Sequence, residues 1–194
     1  MATTPAPNSC DRLFDQHAAL LCPVSLAEIR QQFQLDWDGF HGVAHWARVL
    51  ENGLRLCCRV PEVRVDVVVL FALFHDACRQ NEHADPQHGE RAALLARRYF
   101  SRGRLPLDAA GLELLADACR GHDRGHVSAD PTVGVCWDAD RLDLARVGIF
   151  PSARYLSTTA AKDPELVNQC VLASQSGNFP RRERWVCSRI NTPG

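Results

Sequence analysis

Val67-Val68-Val69-Leu70-Phe71-Ala72-Leu73-Phe74-His75-Asp76 is the stretch on which the reading of this chain turns. From Val63 to Phe74 apolar residues cover every side of a helix, which predicts a central helix surrounded by others. The run is far too short to cross a bilayer, which takes about 20 residues. His75 and Asp76 follow it directly. A buried carboxylate is costly unless it is paired or bound to metal, so the end of this helix is a candidate site.

Outward from that helix, strand signals are almost missing: there is no alternating Val/Ile/Thr run and no Asn-Gly hairpin turn. Helix signals recur. Ser25-Leu26-Ala27-Glu28 reads as a capping box. Asp85-Pro86, Asp130-Pro131 and Asp163-Pro164 each set an N-cap residue before a proline at the first helical position. The pattern predicts helices near 10–21, 25–35, 43–58, 62–78, 86–100, 108–121, 131–147 and 163–175. It describes one all-α domain over residues 11–176, a helical bundle preceded by a disordered segment 1–10 and followed by a loosely attached tail 177–194.

The 194 residues suit one domain, and 46% hydrophobic with 23% charged is ordinary globular composition. A formal charge of -1 argues against a binder of nucleic-acid polymers. Lys162 is the single lysine, in Ala-Ala-Lys-Asp-Pro with no glycines upstream, which excludes a phosphate-binding P-loop and argues against Schiff-base chemistry. Met1 to Asn8 shows neither a basic segment nor an apolar core of the signal-peptide kind, and no run is long enough for a membrane span. A cytoplasmic location is therefore expected. The nine cysteines contain no Cys-x-x-Cys, and the adjacent pair Cys57-Cys58 would point about 100° apart on a helix. They read as small core hydrophobes rather than ligands.

The informative residues are polar ones on apolar faces. After Pro131, the stripe Val133, Trp137, Asp140, Leu144 and Val147 carries a carboxylate in its middle. Asp138 competes with Asp140 but falls about 160° away around the helix. Leu112, Leu115 and Cys119 lead to His122; His88 begins the stripe of Ala92, Leu95 and Tyr99; His45 shares a face with Val49 and Leu56. Each alone reads as a hydrogen-bonded core histidine or a capped aspartate. Together, four inward histidines and two aspartates on different helices point to one metal centre, since imidazole and carboxylate suit zinc, iron, manganese and similar ions.

The order His45-x-x-Arg48-Val49, then His75-Asp76 closing an apolar helix, then Ala139-Asp140-Arg141-Leu142 resembles the HD-domain superfamily of metal-dependent phosphohydrolases, over roughly residues 38–150. His41 competes with His45 for the first position, but Arg48-Val49 follows His45 at the family spacing, so His41 is expected beside the site or facing substrate. Asp85-Pro86-Gln87-His88-Gly89-Glu90-Arg91-Ala92 and Ala118-Cys119-Arg120-Gly121-His122 resemble the segments that supply two further histidines in dinuclear members. The resemblance implies His45, His75, Asp76 and Asp140 around a first metal, with Asp76 bridging to a second held by His88 and His122. One or two divalent ions (iron, manganese, cobalt or zinc, with magnesium possible) are implied, with Asp76 and His75 central to catalysis. The glycine-tyrosine-proline signature of the cyclic-dinucleotide subgroup is absent, and Glu82 is the nearest match to the acidic helper of the deoxynucleotidase subgroup.

The implied activity is hydrolysis of a phosphate ester or anhydride of a small molecule, a nucleotide or dinucleotide. With so little lysine, arginine must supply the anion clamp. Arg79 and Arg141 are candidates beside the ligands, with Arg124, His126 and His41 at the edge of the site. Two other functions share the ligand pattern: a di-iron oxygenase of the same superfamily, and a non-catalytic, metal-stabilised module that binds a nucleotide. No pattern in the sequence sets the oligomeric state.

Overall fold

A computed structural model describes residues 9–21 and 23–185, and leaves the side chains of 23–25 undescribed. Among these residues the fold is helical without a strand: α1 (Ser9–His17), α2 (Pro23–Gln32), α3 (Val43–Cys57), α4 (Val65–Phe74), α5 (His88–Ser101), α6 (Ala109–Gly121), α7 (Pro131–Arg141), α8 (Pro164–Gln175) and α9 (Arg182–Trp185), joined by short 3-10 turns. The all-α bundle expected from the sequence is the fold observed.

α4 is the axis. Every residue from Val67 to Phe74 is buried, and α3, α5, α6 and α7 pack around it. Burying each of its Val, Leu and Phe side chains stabilises the fold by about 1.5–3 kcal/mol relative to exposure, so this helix contributes a large share of the core. The packing is close where small residues permit: a Cβ added at Gly53 of α3 would lie 2.6 Å from Val68 Cγ1. The N-terminal caps of α7 and α8 are those read from the sequence. Asp130 accepts from the Thr132 and Val133 amides, and Asp163 from the Glu165 amide.

Other local readings are corrected. α2 begins at Pro23, ahead of Ser25, and Glu28 bonds Tyr99 and Arg104 instead of closing a capping box. Asp85 does not cap α5, which starts at His88 after Gln87; its carboxylate accepts from the Gln80 amide and Arg91. α4 ends at Phe74, short of 78, and α7 ends at Arg141, short of 147. Val147 therefore leaves the inward stripe and is exposed. Asp138 lies on the opposite face of α7 from Asp140. It is fully buried and accepts from the Ser157 and Thr158 amides (2.6 and 2.8 Å) and the Thr158 hydroxyl, which ties the segment after α7 back onto that helix.

Ser9 and Cys10, expected in a disordered segment, belong to α1, while residues 1–8 lie outside the described part. Residues 177–185, expected as a loose tail, are docked. The Asn178 carbonyl accepts from Arg48, Arg181 pairs with Asp11, and Trp185 is buried in the core cluster. Residues 186–194 of that tail are outside the described part. Cys119, Cys136 and Cys170 are buried; Cys10, Cys57 and Cys78 are half-buried and Cys58 is exposed, and Cys22 and Cys187 lie outside the described residues.

Candidate metal centre

Five helical segments converge on one point. His45 comes from the first turn of α3, His75 and Asp76 from the end of α4, His88 from the start of α5, His122 from the end of α6 and Asp140 from the last turn of α7. All six side chains are buried. Two groups have the mutual proximity of metal ligands: His45, His75 and Asp76, and Asp76, His88 and His122. Asp76 belongs to both. Its Oδ2 lies 3.7 Å from His45 Nε2, and its Oδ1 lies 3.2 and 3.6 Å from the Nε2 atoms of His88 and His122. Asp140 Oδ1 joins the first group, 3.4 Å from His45 Nε2 and 4.0 Å from His75 Nε2. No cysteine belongs to either group.

The hydrogen bonds behind the ligands decide what the site can hold. Nδ1 of His75 meets the Phe71 carbonyl at 3.1 Å, Nδ1 of His88 the Asp85 carbonyl at 2.5 Å, and Nδ1 of His122 the Cys119 carbonyl at 2.7 Å. A carbonyl only accepts, so each Nδ1 carries a proton, and Nε2 is the ring nitrogen turned inward. His45 is fixed in the same way by the Asp143 carboxylate, 2.7 Å from its Nδ1. The inward nitrogens then face each other: His45 and His75 Nε2 are 3.1 Å apart, and His88 and His122 Nε2 are 2.9 Å apart, with Arg79 Nη1 3.3 Å from His88 Nε2. Two lone pairs at such distances require a cation between them, either a proton or a metal. Asp76 Oδ1 is moreover buried without a hydrogen-bond partner. Imidazole lone pairs, an orphaned carboxylate oxygen and carbonyl-fixed tautomers form a donor set that fits divalent transition metals.

The electrostatics agree. Burial alone would raise the pKa of Asp76, yet the surrounding histidines hold it well below the ordinary carboxylate range, so it is anionic. Asp140 behaves likewise, held low against burial by His45, His75 and His122. Burial drives His75 down to about 3, so its ring is neutral and ready to ligate. His122 goes the other way: burial would lower it, but Asp76 and Asp140 hold it above the usual imidazole value.

Close backbone approach sets the second group. A Cβ at Gly89 would sit 2.3 Å from the Cys119 carbonyl oxygen, the same oxygen that accepts from His122. The glycine after His88 thus lets α5 lie against α6 closely enough to bring His88 and His122 together.

The site opens on a cavity of about 610 Å³. His41 lines it, with Nδ1 3.0 Å from Asp76 Oδ2 and Nε2 3.7 Å from Glu82 Oε2. Arg79, Arg124 and Arg141 also line it. Arg79 is largely committed: it donates to the Asn81 and His83 carbonyls and lies 3.6 Å from Asp76 Oδ1. Arg141 spans the Tyr155 and His122 carbonyls and lies over the Trp137 ring. His126 is exposed and is not among the cavity-lining residues, and His83 is likewise exposed.

Three contributors escaped the sequence reading. Asp143 is buried and bonded to His45 and Arg48 (2.7 Å each), and its place one turn after Asp140 does not by itself distinguish it from a surface carboxylate. Arg146 and Arg154 line the cavity from a segment that the reading assigned to helix or left without features.

A family model described as "HD domain" matches residues 42–145, more than half of the chain and all six converging residues. Among solved structures, the crystal structure of a predicted HD superfamily hydrolase from an uncultured Thermotogales bacterium is similar: 24% identity, TM-score 0.59, covering 80% of this chain and 87% of that one. No curated protein matches. The chain belongs to the HD-domain family.

Proposed function

We propose that this protein is a metal-dependent phosphohydrolase that cleaves a phosphate ester or anhydride of a small molecule of nucleotide or dinucleotide size, using two metal ions. The observation that carries the proposal is the pair of opposed Nε2 contacts, His45–His75 and His88–His122, joined by the two oxygens of Asp76. His45, His75, Asp76 and Asp140 would hold one ion, and Asp76, His88 and His122 the other. When bound, such ions lower the pKa of a water nucleophile and offset charge on phosphoryl oxygens.

The chain's own residues do the rest. Asp76 stays anionic and joins the two halves of the site. His41 bonds Asp76 through Nδ1, turns Nε2 toward Glu82 and itself lines the cavity, so an imidazole between two carboxylates connects the buried centre to the cavity wall. That is a path for the proton released when water attacks, with the nitrogens of His41 as carriers. The arginine-lined cavity beside the centre suits an anionic small molecule, and guanidinium matches phosphate geometry. No helix among the described residues is long and apolar enough to cross a membrane.

The test is hydrolysis of a phosphomonoester and phosphodiester panel by protein loaded with manganese, iron, cobalt, zinc or magnesium. Turnover in wild type, lost together with metal retention in H75A/D76A, supports the reading. Absence of turnover with every metal and substrate refutes it.

A further inference from the structure

The cavity has a second half that the metal centre does not explain. Five arginines line it. Arg79 and Arg141 are engaged as described above, and Arg146 donates to the Phe40 and Asp143 carbonyls. Arg124 and Arg154 remain, each without a carboxylate partner among the described residues. They follow different chain segments that meet here: a Cβ at Gly125 would lie 3.9 Å from Tyr155 Cε1, and Arg141 ties the Tyr155 carbonyl to that of His122. The Arg154 guanidinium lies 4.4 Å from the centre of the Tyr155 ring, already ordered on its face.

The same wall is apolar where solvent would favour polar groups. Eight large hydrophobic side chains are exposed among the described residues, and three of them, Ile149, Phe150 and Tyr155, line this cavity. Phe150 is 65% exposed. Exposed aromatics gathered on one rim of a cavity mark a surface that a ligand covers. Residues 149–155 lie beyond the 42–145 span of the family match.

We propose that the substrate of this site carries its phosphate on an apolar, planar body that packs on Phe150 and Tyr155, and bears a second anionic group that Arg124 and Arg154 bind. The proposal rests on the phosphohydrolase reading and names its substrate class. Two exposed guanidiniums without a carboxylate partner among the described residues can form charge-assisted hydrogen bonds to an arriving anion without breaking an ion pair, Arg154 keeping its place on the Tyr155 ring. The aromatic rim holds the body between that anion and the phosphate at the metals.

The experiment measures binding by calorimetry on the metal-loaded full chain, with phosphonates whose P–C bond resists hydrolysis. The probes are methylphosphonate, phenylphosphonate, and aryl phosphonates bearing a distal carboxylate on a phenyl or a naphthyl body. The expected order is methyl weakest, aryl tighter by about tenfold, and at least one carboxylated aryl probe tighter again by about tenfold. In R124A/R154A the carboxylate's gain over phenylphosphonate should vanish, while F150A/Y155A should erase the gain of phenylphosphonate over methylphosphonate. Each gain is a ratio measured on the same variant, which cancels any general loss of site integrity. Equal affinities across the series in wild type, or gains that survive in the variants, overturn the proposal. Its failure is distinct from that of the hydrolase reading: a flat series with intact turnover removes the substrate class alone, and an ordered series without turnover removes hydrolysis alone.

Discussion

Asp143→Asn separates the tautomer argument from simple packing. Asp143 is buried, accepts from His45 Nδ1 and Arg48 Nε at 2.7 Å each, and lies near Arg146. Asparagine has nearly the same shape but offers one acceptor and one donor. If its oxygen stays on Arg48, its amide donates to His45 Nδ1 and drives the imidazole proton to Nε2, the atom that must ligate. Losing such an orienting partner typically costs about 10–100-fold in metal affinity. The predicted loss falls on the group of His45, His75 and Asp140, whereas His88 and His122 keep their own carbonyl partners. D143A differs in kind: it leaves the buried Arg48 charge without its carboxylate, which costs about 3–5 kcal/mol, or about 6–20 °C in Tm for a chain of this size. The assay is metal titration by calorimetry, with thermal unfolding on the same samples. D143N should lose one tight equivalent with a modest Tm change, and D143A should lose both the equivalent and much of its stability. Two wild-type equivalents in D143N would refute the reasoning.

Two further outcomes follow from the same geometry. Gly89→Ala places a methyl group against the Cys119 carbonyl, so it should destabilise the fold by about 1–3 kcal/mol and weaken the metal held by His88 and His122 at least tenfold, as read by titration. Metal uptake should release a growing fraction of a proton as pH falls, because His122 is held above its ordinary value in the metal-free site and the metal must displace that proton. In linkage terms a raised histidine stabilises the metal-free fold below about pH 6.5, and that contribution is lost as pH rises through the raised value. Calorimetry in buffers of different ionisation enthalpy reads the release, and H122Q should abolish it.

How much of this was legible in the sequence depended on the range of the interaction. Val67 to Phe74 announced a central helix because every face is apolar, a property of the segment itself. His45, His88, His122 and Asp140 were visible as polar interruptions of apolar stripes, again a local pattern. Asp143 was not, since it reads as one more charged residue after Asp140 and its meaning lies in His45, 98 positions earlier. Asp138 was read correctly as facing away from Asp140, but its burial depends on amides some 20 residues on. Asp85-Pro86 looked like a cap, yet tertiary pairing with Arg91 and the Gln80 amide outcompeted that role. The cavity wall at 149–155 carries no periodic signal because it is irregular apart from one 3-10 turn, Ala153–Tyr155, whose last carbonyl is held by Arg141.

The central claim is a dinuclear site with Asp76 shared between two histidine pairs. Its most direct test is elemental analysis of metal bound per chain in wild type and in H88A/H122A, after loading with manganese or iron and removal of free ions. Two equivalents in wild type and one in the variant are predicted. A single equivalent in wild type, or two retained in the variant, would contradict the account.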